Sequence, residues 1–482
     1  MSEPHPEAST PASASTPASA STPASASTPA SASAPASAST PASASTPASA
    51  STPTSRVPLI LDVDTGIDDA LALLYACASP EADLVAVTCS AGNVDAAQVA
   101  ENTRAVLELA GRRDVEVAIG RETPLVRPLE TTPETHGPRG IGWAELPPAT
   151  MPMSARRSPD LIVEEARRRP GELVLVTLAP LTNVALALQA EPDLPRLLRW
   201  LVIMGGAYRV PGNTTPVSEW NVHVDPEAAQ VVFRGWAEAV ARADDRARLV
   251  GESADRMAAG AAGDAAGDAA PSAAATAAAT AAASRAPSAA LTAAGDTAAS
   301  RTPSVALPLA LGLDATAAAT AAASRAPSVA LPLALGLDVT ERARFLPEHV
   351  AGLAAAAGCD GAAAESRVRT ADVTPPDNAV LRYVTDSLRF YMQFHARYDG
   401  FYGAFIHDPF VVAVALDESL VRAEPVTVDV ETAGEIASAQ TIADWRHLWG
   451  RPPNAMVGIE ACADTFLERL IDRVGRLARD RG

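Results

Sequence analysis

The sequence predicts an α/β protein built on an open, mainly parallel, Rossmann-like sheet covered by helices on both faces. Three observations carry that prediction. Short apolar runs alternate with helical patterns, as in successive βαβ units. The runs are apolar on both faces, which is what strands lying between two helical layers require. The core-forming part of the 482 residues is the size of one large domain.

Taken in order, residues 1–55 repeat STPASA with a period of six from Ser9 and hold almost no large apolar side chain. Such a tract has nothing to offset its ordering entropy, so a disordered tail is expected there. The domain's first part is 56–240. Its strands are expected at Val57–Asp64, Leu84–Ser90, Val115–Ile119, Leu173–Leu178 and Trp200–Met204, and its helices near Asp68, Asp95, Ser158, Leu181 and Pro226. Residues 241–328 read as an Ala-rich, low-complexity insertion. Within and beyond it, SRTPSVALPLALGLD at 300–314 returns as SRAPSVALPLALGLD at 324–338. Two copies of one strand cannot fill one slot in a sheet. Only the second copy continues into VTERARFLPEHVAGL, a strand and then a helix, so Leu331–Thr340 is assigned to the sheet, with its strand at Leu331–Leu337. The first copy is taken as a looped-out duplicate. The domain's second part is then 329–482, with a helix near Pro409.

Composition excludes several functions. A net charge of −19 gives no basic surface for displacing counterions from a phosphate backbone, so no nucleic-acid partner is expected. All 38 basic residues are arginine, which removes Schiff-base chemistry and the lysine of a phosphate-cradling loop. The four cysteines (Cys77, Cys89, Cys359, Cys462) form no CxxC pair and point to neither a zinc site nor a disulfide framework. The opening MSEPHPEAS lacks the basic, then apolar, pattern of a secretory signal, and no long apolar run follows. A soluble, cytoplasmic protein with no membrane partner is expected.

The chemistry is concentrated in LILDVDTGIDDALAL, where a buried strand runs into Asp62, Asp64, Asp68 and Asp69 around a glycine before a helix. One helix cap needs one acid, and four acids this close repel unless a cation or a proton compensates. A hard divalent ion with oxygen ligands meets that need. Asp62 taken alone reads as a strand-end residue bonded to backbone. Downstream, Ile406-His407-Asp408-Pro409 opens an apolar helix; Asp408 is either a plain N-cap or, beside the first cluster, a metal ligand with His407 as a neighbouring general acid. The loop MGGAYRVPGNTTPVSEWN carries Asn213, Glu219 and Asn221, side chains suited to sugar hydroxyls or to turns, and LVLVTLAPLTN ends a strand at Leu178.

These blocks resemble the inosine-uridine preferring nucleoside hydrolases across 57–236 and 329–482. DVDTGIDDALAL is similar to that family's DxDxxxDD signature, and AGN at 91–93, HG at 136–137, LAPLTN, MGG, GNTTPVSEWN and HDP follow in the family's order. The resemblance implies the nucleoside hydrolase fold and calcium-dependent hydrolysis of ribonucleosides to ribose and free base, through an oxocarbenium-like transition state. By position, the calcium ligands would be Asp64, Asp69, Asp408 and the Leu178 carbonyl. Asp64 would also deprotonate the attacking water that the ion holds. Asp68 and Asn221 would hold ribose hydroxyls, with Asn93, Met204, Asn213 and Glu219 lining the sugar pocket. His407 would help the departing base accept a proton, and His136 matches another base-side position. A homodimer or homotetramer is implied as well.

Two other classes compete less well. Asp62-Val63-Asp64 is similar to the acid pair of haloacid-dehalogenase-type phosphatases, but Thr65-Gly66 reverses their order and no downstream motif completes the set. A calcium-binding loop fails because Leu73 stands where a closing glutamate is needed. A nucleoside-binding protein that has lost turnover is argued against by Asp64 together with His407. Base preference is left open, with His136, Trp143, His395–Tyr402 and Trp445 as candidate contacts.

Overall fold

Val57–Val63 (β1) is the strand around which the rest is arranged, and its burial pattern explains why. Leu59, Leu61 and Val63 belong to the apolar core on one face of the sheet, while Ile60 belongs to the core on the other. Alternation along a strand then sends Asp62 to the Ile60 face. The computed structural model describes residues 56–265 and 329–482, with side chains left out over 246–265. The tail expected at 1–55, and most of the insertion with the first repeat copy, lie outside the described residues.

After β1 the chain runs through α1 (Ile67–Ala78), β2 (Ala82–Cys89), α2 (Ala96–Leu109), β3 (Glu116–Ile119) and the single turn α3 (Pro133–His136). It continues through α4 (Ser158–Arg168), β4 (Val174–Thr177), α5 (Thr182–Ala190), α6 (Leu194–Leu197), β5 (Trp200–Met204), α7 (Trp220–Val224) and α8 (Pro226–Ala265). Because α8 is one unbroken helix, the boundary expected at 240 falls inside it. From 329 onward come β6 (Leu333–Leu335), α9 (Leu337–Thr340), β7 (Arg344–Phe345), α10 (Pro347–Ala356), α11 (Gly361–Arg369) and α12 (Ala379–Tyr398). Then follow β8 (Ala404–Phe405), α13 (His407–Leu416), β9 (Val421–Val426), β10 (Val428–Val430), β11 (Thr441–Ala443), β12 (Ala455–Ala461) and α14 (Ala463–Arg481).

Eight strands form one sheet in the order β3-β2-β1-β4-β5-β6-β12-β9. Every neighbouring pair is parallel except β12 with β9, so an antiparallel strand closes one edge. Two short two-stranded antiparallel sheets, β10 with β11 and β7 with β8, stand outside it. Among the described residues no helix is long and apolar enough to cross a membrane.

The expected parallel sheet is present, with one element redrawn. The sheet keeps only Leu333–Leu335 of the stretch assigned up to Thr340. Gly336 ends the strand, and Leu337–Thr340 turns helically, with the Thr340 hydroxyl donating to the Gly336 carbonyl at 3.2 Å. Asp62 is also held differently from expectation. Its donors are side chains: the Thr88 hydroxyl at 2.6 Å and the Asn183 amide at 2.8 Å, both fully buried. Burial still pushes Asp62 up to about 7. Asn183 donates as well to the Cys89 carbonyl at 3.2 Å, tying α5 to two strands. Asn183→Ala removes two buried hydrogen bonds, although Asp62 Oδ1 keeps the Thr88 hydroxyl and the Cys89 carbonyl keeps the Gly120 N–H, and is expected to lower the unfolding free energy by about 1–3 kcal/mol, read from urea denaturation. A midpoint unchanged from wild type would refute that role.

Candidate active site

Parallel strands bring their carboxyl ends to one edge, and the strand order reverses direction between β2-β1 and β4-β5, opening a crevice beyond β1 and β4. Two helices start there. The first turn of α1 carries Asp68 and Asp69, and the first turn of α13 carries His407 and Asp408; α1 and α13 pack side by side. One carboxylate oxygen each from Asp68, Asp69 and Asp408 lie within 4.8 Å of one another, all buried. Asp64, 1% exposed, joins them from the end of β1.

The carboxylates are held from behind. Asp69 accepts the backbone N–H groups of Asp64 at 3.2 Å and Gly66 at 2.8 Å, with the Asn93 amide at 3.4 Å. Asp64 Oδ2 accepts the Asn93 N–H at 2.8 Å. That approach requires glycine at 92, since a Cβ there would stand 2.1 Å from Asp64 Oδ2.

Two helix N-termini contribute about 0.3–1 kcal/mol each toward a nearby anion. A pair of like charges 4 Å apart costs about 4 kcal/mol at an effective dielectric of 20, so the repulsion dominates. Accordingly burial, and then the Asp69 charge, push Asp68 up to about 8. Burial and the neighbouring acids also hold Asp64 and Asp408 well above the carboxylate range, while burial pushes Asp69 up to about 6. Charge-dense oxygen donors that resist ionising together are the donor set a hard divalent cation fits.

The cluster forms the floor of a cavity of about 500 Å³, within the range of small-molecule pockets. Asp64, Asp68, Asn93, His136, Leu178, Met204, Asn213, Glu219, Asn221, His407 and Asp408 all line it. Asp69, the remaining expected site residue, lies directly behind this surface. The Asn221 amide donates to the Leu178 carbonyl at 2.7 Å and approaches the Met204 carbonyl and Sδ, each at 3.3 Å. Glu219 caps α7 through the Asn221 and Val222 N–H groups and takes the Gly206 N–H at 2.9 Å, so it fixes the loop as well as lining it. Asn213 Oδ1 accepts the Trp220 N–H at 3.1 Å.

Aromatic and imidazole side chains line the same cavity. His136 Nδ1 accepts the Ile67 N–H at 3.1 Å, which leaves its ring proton on Nε2, and burial lowers it to about 3. Thr340 gives its hydroxyl proton to Gly336, so its oxygen accepts from His407 Nδ1 at 2.8 Å. Tyr391, Phe394, His395 and Tyr398 face the same space from α12. Their i, i+3, i+4, i+7 spacing marks one helix face and was the signal available in the sequence. Glu341 and Asp399 line the cavity too and carried no such pattern. Two candidate base contacts are not part of it. Trp143 is half exposed, edge-on to Phe390, with its indole N–H on Gln393, and Trp445 packs under the Arg209 guanidinium at 3.6 Å.

Fold and cavity together define an α/β protein with a carboxylate-floored pocket at the switch point of its sheet. The chain belongs to the inosine-uridine preferring nucleoside hydrolase family, whose model matches residues 59–295 and 311–468. A pyrimidine-specific ribonucleoside hydrolase of Enterobacter sp. strain 638 is 28% identical over 424 residues, covering 88% of this chain and 99% of its own. A probable uridine nucleosidase of Arabidopsis thaliana is 39% identical over 188 residues, 39% of this chain, and the match spans only 58% of that relative's length. The purine-preferring ribonucleoside hydrolase from Gardnerella vaginalis superposes with a TM-score of 0.61 at 23% identity, over 88% of this chain and 99% of that one, a likeness of fold.

Proposed function

We propose that the protein hydrolyses the N-glycosidic bond of ribonucleosides to ribose and free base, with calcium held by Asp64, Asp69, Asp408 and the Leu178 carbonyl. The observation that carries this reading is the set of buried carboxylates at a cavity that aromatic side chains also line. Breaking a ribosyl C–N bond builds positive, oxocarbenium-like charge on the sugar, and a preorganised anionic floor stabilises that charge. When bound, the cation offsets the mutual repulsion of the acids and orients the sugar hydroxyls and the attacking water. Asp64 takes the proton of that water. Asp68 and Asn221 hold ribose hydroxyls, while Asn93, Met204, Asn213 and Glu219 line the wall around the sugar. His136 and His407 face the base. The same reading takes the enzyme as a cytoplasmic homo-oligomer serving nucleoside salvage or catabolism.

The test is reducing-sugar release from inosine, uridine, cytidine, adenosine and guanosine in phosphate-free buffer, with and without a calcium chelator. Release that the chelator stops and added calcium restores is the expected result, and the panel names the preferred base. A folded sample that binds calcium and nucleoside yet releases no sugar would replace this reading with that of a nucleoside-binding protein.

A further inference from the structure

Of the three imidazoles lining the cavity, His136 receives a backbone N–H and His407 donates to a threonine hydroxyl. His395 differs from both. Its Nδ1 lies 2.6 Å from Asp399 Oδ2, one helical turn along, and Asp399 also lines the cavity. Its Nε2 is buried and has no hydrogen-bond partner, in a residue only 4% exposed. The ring is fixed between Tyr391 at 4.6 Å and Phe401 at 5.6 Å, with Phe394 and Phe405 edge-on.

A buried, unpartnered ring nitrogen on a side chain that lines the cavity calls for a ligand partner. A carboxylate on the opposite nitrogen stabilises the imidazolium and aims the ring, as an orienting acid does for a catalytic histidine. We propose that His395, positioned by Asp399, donates the proton to the departing nucleobase. This rests on the ribonucleoside hydrolase reading above. As the C–N bond breaks, its electron pair passes to the base, whose nitrogen takes the proton from Nε2. The neutral imidazole keeps its Nδ1–H on Asp399. The proton that Asp64 removes from water balances the one delivered, so water and nucleoside become ribose and neutral base, and His395 regains its proton from solvent. The charged and titratable groups around this pair are Asp399 itself, Tyr391, His136 and His407, with Glu341 beside Asp399.

The test compares leaving groups. His395→Phe preserves the ring packing and removes both nitrogens, and Asp399→Asn weakens the orienting contact. Each is assayed on the best nucleoside of the panel and on p-nitrophenyl β-D-ribofuranoside, whose phenolate departs without a proton. His395→Phe is expected to lose about 10²-fold or more in kcat on the nucleoside and to stay within a few-fold of wild type on the phenyl riboside. Asp399→Asn should show a smaller loss with the same selectivity. Equal losses on both substrates would make His395 a binding or packing residue, and no loss on the nucleoside would remove it from the reaction; either outcome overturns the proposal. Wild-type protein that cleaves neither substrate would overturn the parent reading instead, a result distinguishable from both.

Discussion

Asp64→Asn is expected to slow ribose release by at least about 10³-fold, with the folded protein retained. The variant loses a ligand of the proposed cation and the acceptor for the proton of water, and a positioned base alone is worth about 10²–10⁴-fold. Its stability should move the opposite way. Asp64 is buried among Asp68, Asp69 and Asp408 and is held well above the carboxylate range by burial and then by the Asp69 charge. Neutralising one member of a repelling set stabilises the cation-free protein, so with chelator present the variant should melt above the wild type. The amide keeps the shape and one acceptor oxygen for the Asn93 N–H. Near-normal turnover in the variant would remove Asp64 from catalysis. A lower melting temperature in chelator would show that the cluster is not governed by repulsion.

The cation-free protein should lose stability as the pH rises from about 6.5 to 8.5, and calcium should reduce that loss. Asp62 and Asp68 are pushed from 3.8 up to about 7 and about 8. A group raised on folding stabilises the folded state while protonated, and that contribution is lost as the pH climbs through the folded value. His136 acts at the other end of the scale. It is lowered from 6.5 to about 3, so its contribution is present above 6.5 and lost toward acid pH. Above 6.5 the carboxylates therefore decide the trend. Each 1 kcal/mol corresponds to roughly 2–4 °C in a large domain, so a fall of several degrees by thermal denaturation is expected in chelator. With calcium bound, proton and cation compete for the oxygens of Asp64, Asp69 and Asp408, which burial also raises; those acids then ionise, the midpoint should be higher, and the slope should shrink to the part that Asp62 and Asp68 carry. Identical pH profiles with and without calcium would contradict the proposed ligand set.

Much of the fold was legible because a parallel sheet writes itself locally. Strands buried on both faces are continuous apolar runs, and β1, β2, β4 and β5 fall within two residues of their expected ends. Asp95, expected near a helix start, caps α2 by accepting the Gln98 N–H. The far edge of the sheet was not legible. β9 and β12 pair antiparallel across a register shift, β12 follows a Pro-rich loop, and β9 contains Pro425, so neither carries a clean pattern. The antiparallel pair β7 with β8 joins two-residue strands about sixty positions apart, and nothing local announces such a pairing.

The sequence by itself determined the floor of the site. Asp64, Asp68 and Asp69 come from one strand-turn-helix segment, whose spacing forces them together, and His407-Asp408 opens a second helix with its own N-terminal acid. Only the tertiary structure decided that these two helices begin side by side, because the strand order β2-β1-β4 that opens the crevice is a long-range choice. It alone brought Thr88 and Asn183 onto Asp62, whose face strand parity had already set. It also brought the α12 face of Tyr391, Phe394, His395 and Tyr398 over the cavity and left Trp143 and Trp445 outside. Spacing along a chain fixes which side chains share an element's face, whereas the packing of layers decides which faces meet.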